Sequence, residues 1–277
     1  MVFADLALAR RLEAAETQKY LDYAAARGPM HPEMTPAWEP IAGGYAVYAG
    51  DGNPYNRGIG LGLHGPVAET ELARMEAFYT GRGLAPELSL CPLADESLVA
   101  LLGARSYRIQ MFMHTWVRPL TDEGWPTVAR VTVRPTKPGE ADLWVRTAWH
   151  GFAGDDVAPP DDLIISPYPT MAHASCWLAW LDGERLGVEP AGAGTLAIHD
   201  SVAELFGTST RPSCRGRGVQ TALIHARMAA AAAAGCDLIA VHTDPGSSSQ
   251  RNVERAGFRL AYTKVTMRRV TSPTEYP

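Results

Sequence analysis

The stretch that decides the fold is VAELFGTSTRPSCRGRGVQTAL, residues 202–223. Its first part, through Thr210, reads as a strand. Arg215-Gly216-Arg217-Gly218 then forms a turn, and Val219 opens a helix. The first amides of such a helix have no intrahelical acceptor and carry the positive end of its dipole, which suits a phosphate or pyrophosphate. Gly216 and Gly218 remove side chains that would block close approach, while Arg215 and Arg217 add positive charge. The competing reading of the turn alone is a solvated helix start whose glycines serve tight packing.

Working outward, periodicity predicts a helix over about 219–234 stopped by Gly235, a strand at 237–243, a serine-capped helix at 247–256 and a last strand over 258–270. Upstream, VARVTVRP (128–135) is a strand, and a helix runs from about Glu140 to Phe152. A loop rich in Pro and Asp follows (153–169), then a strand at 177–181, a turn at Asp182-Gly183 and a partner strand starting at 186–188. Another strand is expected at 195–198, with a turn at His199-Asp200 before the decisive stretch. The first half reads as a helix from Leu6 to a stop at Arg27-Gly28-Pro29, a proline-rich loop over 29–43, and strands at 45–49 and 59–63. A helix at 67–83, a short strand at 87–91, a helix capped by Asp95 and either a strand pair or one long strand at 107–117 complete it, with a linker at 118–126. The segments 57–117 and 202–270 share the order strand, helix, strand, short helix, strand, which reads as a diverged tandem repeat.

The hexapeptide Arg215-Gly216-Arg217-Gly218-Val219-Gln220 resembles motif A of the GNAT acyltransferase superfamily, R/Q-x-x-G-x-G/A after the fourth strand. Gln220 stands where the family has Gly or Ala. Pro212, Thr221-Ala222-Leu223, Gly257-Phe258 and the element order over 128–270 extend the resemblance through the C-terminal half; the N-terminal half shares only the pattern. The resemblance implies an α/β (α+β) fold of two GNAT-like domains, each a mixed central sheet flanked by helices. Residues 1–120 would be a degenerate domain without the CoA motif, and 126–277 the catalytic one. The cosubstrate would be acetyl-CoA. Arg217, Gly218, Val219 and Gln220 would offer backbone amides to its pyrophosphate in the turn opened by Arg215 and Gly216. Thr208, Ser209 and Thr210 would bond the pantetheine arm through main chain, and Asn252 would lie near the thiol.

Acyl transfer to an amine needs a group that takes a proton. Glu204, in the strand position where relatives carry a glutamate, is the first choice as base; the alternative is a strand carboxylate that is solvated or paired. Relatives place an acidic tyrosine where this chain has Val253, so Ser249, Tyr262 or an unassisted thiolate departure stay open. In the first half the matching helix start, Gly65-Pro66-Val67-Ala68-Glu69, loses an N–H to proline and adds carboxylates that repel phosphate. Cys214 beside the turn could suggest an acyl-enzyme, but packing is the simpler role. Asp237, His242 and Asp244 form no ligand cluster at helical or hairpin spacing, so no metal is expected.

Composition limits the rest. The 277 residues carry a formal charge of -5, which argues against a general nucleic-acid binder. The four cysteines are scattered without a CxxC pair, as in reduced cytosolic proteins, and no apolar stretch suits a signal peptide or a membrane span. The expectation is a cytoplasmic acetyl-CoA-dependent N-acetyltransferase acting by direct attack on a primary amine of a small molecule or peptide. The loop 153–169 would rim the acceptor site, with Asp155, Asp156, Asp161 and Asp162 favouring a cation if they face it. The N-terminal domain would cover the acceptor or mediate homodimerisation. The rivals are an acyl-CoA sensor without turnover and a structural α/β protein.

Overall fold

A computed structural model describes residues 3–121, 124–160, 162–182 and 189–270. Asp161, Gly183 and the strand start expected at 186–188 lie outside the described residues. The elements are α1 (Leu6–Met30), β1 (Ala37–Ile41), β2 (Gly44–Tyr48), β3 (Arg57–Ile59), α2 (Glu69–Thr80), β4 (Glu87–Leu90), α3 (Glu96–Ala104) and β5 (Tyr107–Pro119). They continue with β6 (Val131–Pro135), α4 (Ala141–Ala153), β7 (Ala174–Leu181), β8 (Gly192–His199), β9 (Val202–Thr210), α5 (Val219–Ala233), β10 (Leu238–Thr243), α6 (Ser248–Arg255) and β11 (Arg259–Arg269). The fold is mixed α/β, with helices flanking mixed sheet, as the resemblance implies.

The chain forms two compact units. The first takes the described residues up to Thr115, Thr243–Pro245 and those from Leu260 onward; the second takes Trp116–His242 and Gly246–Arg259. In the first, β1, β2 and β3 are successive antiparallel neighbours, β3 runs parallel to β4, and β4 pairs antiparallel with β11 through Leu90↔Val265 and Leu88↔Met267. Its core packs Leu72, Met75 and Tyr79 of α2 with Leu88, Leu98 and Leu102. A strand from the far end of the chain therefore belongs to the first unit's sheet.

Several local differences from the sequence reading have physical causes. The helix α1 starts where Asp5 Oδ1 accepts from Leu8 N at 2.8 Å, and it runs past Pro29 because His31 N still reaches Arg27 O. The strand β1 lies in a stretch read as loop. Its prolines suggested irregular chain, but β1 pairs only with β2 at a sheet edge, where a missing N–H is tolerated. The strand β3 stops at Ile59 instead of reaching residue 63, because Gly60 and Gly62 turn to positive φ.

In the second unit β6, β7, β8 and β9 are antiparallel neighbours, and β9 runs parallel to β10. Leu196, Ala203, Leu205, Ile224 and Met228 join Val253 and Phe258 in one core. The β9–β10 pairing runs from Val202↔Leu238 to Leu205↔Val241, while β9 continues to Thr210. Beyond Leu205, β9 stays paired with β8 as far as Gly192↔Thr210 and leads into the turn that opens α5.

Candidate functional site

A short 3-10 turn, Pro212–Cys214, follows β9, and the chain reaches α5 through Gly216 at φ 75° and Gly218 at φ 82°. At Gly218, the residue before the helix, the left-handed conformation and a neighbour 2.7 Å from where a Cβ would sit, Val128 Cγ1, both require glycine. With no side chain at that position and no acid in the first turn of α5, nothing there competes for its leading amides. The two helix starts differ in this respect. At α2 the two amides just before the helix are engaged: Glu71 Oε2 accepts from Ala68 N at 2.9 Å and Ser97 Oγ from Val67 N at 2.8 Å.

Around the turn of α5 lies a cavity of about 800 Å³. It is walled by Thr208, Ser209 and Thr210 from β9, by Arg215, Gly216, Gly218, Val219 and Gln220, and by Asn252 of α6. Nine of the cofactor residues expected from sequence thus share one wall, while Arg217 is not among the lining residues. The volume falls within the roughly 300–1,000 Å³ of ligand pockets. Gly151, Phe152, Cys214, Thr221, Ser248, Ser249 and Arg255 also line it, and the sequence reading did not assign them a binding role. For Arg255 a signal existed: it closes the helix that carries Asn252, next to Gly257-Phe258. The first unit has a cavity of about 200 Å³ between α1 and the residues around Gly60, one quarter of that volume.

Side-chain contacts refine the expected roles. The Arg215 guanidinium donates to Gly151 O at 3.0 Å and Thr210 O at 3.3 Å, tying the end of α4 to the turn. Gln220 Oε1 accepts from Asn252 Nδ2 at 2.5 Å, so the residue that replaces Gly or Ala bridges α5 and α6. Val253, where relatives carry the acid, is 1% exposed and packs in the apolar core. Tyr262 belongs to the first unit, donates its hydroxyl to Glu13 Oε1 at 2.8 Å, and has its phenol pushed far up, first by burial and then by Glu13. Tyr262 is not among the residues lining the cavity, whereas Ser249 is.

Glu204 is 1% exposed and is not among the residues lining the cavity. Its Oε1 lies 3.1 Å from His242 Nε2, and Ala197 and Ala240 flank it across the sheet, leaving room for the carboxylate. His242 was read from sequence only as an unsupported metal ligand. The register of two parallel strands, which no local spacing reveals, brings it to Glu204. Cys214 is buried and packs with Val219 and Leu223, and burial pushes the Cys176 thiol up to about 12, so neither arrangement favours a thiolate nucleophile.

Of the loop aspartates, Asp156 and Asp162 are exposed. Asp155 instead accepts from Arg211 Nε at 2.6 Å and from Ser213 N at 3.1 Å, which straps the loop to the segment before the turn. Burial works against its charged form, but the hydrogen bonds from Arg211 and Ser213 outweigh that and hold it at about 2. A depressed carboxylate adds stability that is present above the ordinary value near 3.8 and lost as pH falls through about 2. Asp155→Asn should therefore lower stability at pH 6, by on the order of 1 kcal/mol after solvent screening, and show little further loss between pH 4 and 2. Thermal melts across pH 2–6 check this; parallel wild-type and variant curves would remove the strap.

Residues 142–258 match the family model described as "Acetyltransferase (GNAT) family". A GCN5-related N-acetyltransferase from Kribbella flavida superposes with a TM-score of 0.66 over 96% of this chain and 96% of that one, at 19% identity. A tandem GNAT protein from the clavulanic acid biosynthesis pathway matches with a TM-score of 0.55 over 82% of this chain and 74% of that chain, at 14% identity. At these identities the two structures show a common fold. No match was found among curated proteins. Among the described residues no helix is long and apolar enough to cross a membrane.

Proposed function

From the premise that residues 142–258 are a GNAT-family domain, we propose that it binds acetyl-CoA in the 800 Å³ cavity and transfers the acetyl group to a primary amine of a small molecule or peptide. The observation that carries this reading is the convergence on one cavity of the glycine turn, the C-terminal end of β9 and Asn252. The pyrophosphate would lie against the leading amides of α5, where an anion is stabilised by unpaired N–H groups and the helix dipole. Thr208, Ser209 and Thr210 would receive the pantetheine arm on β9, beyond the last β9–β10 pair. Direct attack suits the buried thiols. The amine nitrogen bonds to the thioester carbon, its extra proton passes to the base, and the C–S bond breaks to release a thiolate. Glu204 is the base of this reading. A thiolate is a good enough leaving group to depart without a dedicated acid.

Isothermal titration with acetyl-CoA, followed by thiol release on a panel of polyamines, aminoglycosides and lysine peptides, tests the proposal. Binding should be measurable below millimolar concentration, and Glu204→Gln should cut turnover about 100-fold or more with little change in Kd. No binding at millimolar acetyl-CoA sinks the reading. The core position of Val253, where relatives carry an acid, favours one alternative, an acyl-CoA sensor. Binding with no thiol released for any acceptor would support it.

A further inference from the structure

Among the described residues that line the 800 Å³ cavity only Arg215 and Arg255 are charged, and both are cations. A wall with cations and no carboxylate, in a chain whose formal charge is -5, suits an anion. The two arginines differ in what they hold. Arg215 directs its guanidinium to Gly151 O and Thr210 O, so it braces the turn. Arg255 is exposed, and among the described residues no hydrogen bond or ion pair engages its side chain. Helical spacing places it: Ser248, Asn252 and Arg255 stand at i, i+4 and i+7 of α6 and share the face that lines the cavity. The hydrogen bond between Asn252 and Gln220 sets the middle of that face beside the first turn of α5. Arg255 lies three residues further on, about 4.5 Å along the helix axis. A cation in the last turn of a helix also complements the dipole, which accounts for an arginine at the end of α6 but not for its place on the wall.

CoA carries its negative charge in two places. One is the pyrophosphate, which the leading amides of α5 receive in the reading above. The other is a phosphomonoester on the ribose 3′ oxygen, with a charge of about -1.5 to -2 at pH 7 and oxygens that match the paired N–H donors of a guanidinium. One ribose ring separates the two, a span comparable to one helical turn. We infer that Arg255 recognises the 3′-phosphate, so that the cavity selects CoA over carriers that end in an unphosphorylated ribose; this rests on the acetyl-CoA reading. The turn then serves one anionic group and the end of α6 the other, with the Gln220–Asn252 bond holding the two at a set spacing.

Calorimetric titration of the full chain with CoA and with dephospho-CoA tests this without any acceptor. Wild type should bind CoA about tenfold more tightly, as one exposed charge-assisted contact allows. Arg255→Gln should bring the two affinities within about twofold by weakening CoA alone. Arg255→Lys, which keeps the charge without the paired donors, should fall between. Arg251→Gln removes the same charge from α6 at an exposed residue off the cavity wall, and should leave the preference at its wild-type value. Raising the salt from about 0.05 M to about 0.5 M should shrink the preference. Because Arg255 is exposed, melting temperatures of its variants should stay near that of wild type. Equal wild-type affinities overturn the inference, as does a preference that survives Arg255→Gln. A parallel loss for both ligands overturns it as well, since it would place the guanidinium on the pyrophosphate. Each of these results leaves the acetyl-CoA reading standing; absence of binding by both ligands overturns that reading and the inference with it.

Discussion

Replacing Gly218 with valine is expected to weaken acetyl-CoA binding by about 30- to 100-fold while leaving the second unit folded. Two effects combine. A non-glycine residue at φ 82° costs roughly 1–2 kcal/mol in backbone strain. The new Cβ would also stand 2.7 Å from Val128 Cγ1, so either the turn or the chain around Val128 has to move. Strain of this kind is relieved where the chain is least constrained, and the turn has few packed neighbours: a Cβ on Gly216 would meet nothing within 4 Å. The amides of Gly218, Val219 and Gln220 would then point away from a common centre. Losing roughly 2.1–2.8 kcal/mol of their joint interaction corresponds to the stated change in Kd. Calorimetry on wild type, Gly218→Ala and Gly218→Val should give a graded series, with the valine worst. Equal affinities would show that the turn does not hold the cofactor.

The largest effect on stability is expected in the first unit, at Lys264. The residue is 1% exposed, and its ammonium lies 3.2 Å from Glu13 Oε1 and also contacts Glu16. Burial disfavours its charge, yet the attraction of Glu13 and Glu16 outweighs burial and raises its pKa. Removing the lysine takes a buried cation away from two buried carboxylates, and breaking such a pair typically costs about 3–5 kcal/mol. Total stabilities are only about 5–15 kcal/mol, so Lys264→Ala should bring the unit close to unfolding. A denaturant midpoint within experimental error of wild type would refute this. Because the folded pKa is raised, the contribution is complete below the ordinary lysine value near 10.4 and fades only above it. The deficit of the variant should therefore be constant from pH 6 to pH 9. Exchanging all three charges, Lys264→Met with Glu13→Gln and Glu16→Gln, should recover much of the loss, since neutral replacement of a whole buried cluster is far less costly than its division.

These cases show what a sequence can reveal. The glycine turn is legible because its chemistry is local: strand, turn and helix follow one another within residues 202–223, and conformational need is written in the glycines themselves. Thr208 to Thr210 and Asn252 could be placed only through the family resemblance, which supplied the fold that brings α6 beside the turn. The contacts of Glu204 with His242, of Asp155 with Arg211 and of Lys264 with Glu13 join residues far apart in the chain. Each depends on strand register or loop path, for which a charged residue in sequence carries no address. The strand β1 was hidden for another reason: proline frequency dominates a local reading, and tolerance at a sheet edge appears only once the neighbours are known.

The pairing of β4 with β11 also fixes an order of events during synthesis. Residues 116–242 and 246–259 can complete the second unit while the first still lacks its strand from Arg259–Arg269. Emergence from the ribosome would therefore finish the later-encoded unit first, the reverse of the usual vectorial sequence. Until β11 arrives, the edge of β4 is unpaired, and Glu13 and Glu16 have no Lys264 to neutralise them. A nascent chain arrested before β11 should show a protease-resistant second unit joined to a protease-sensitive first one.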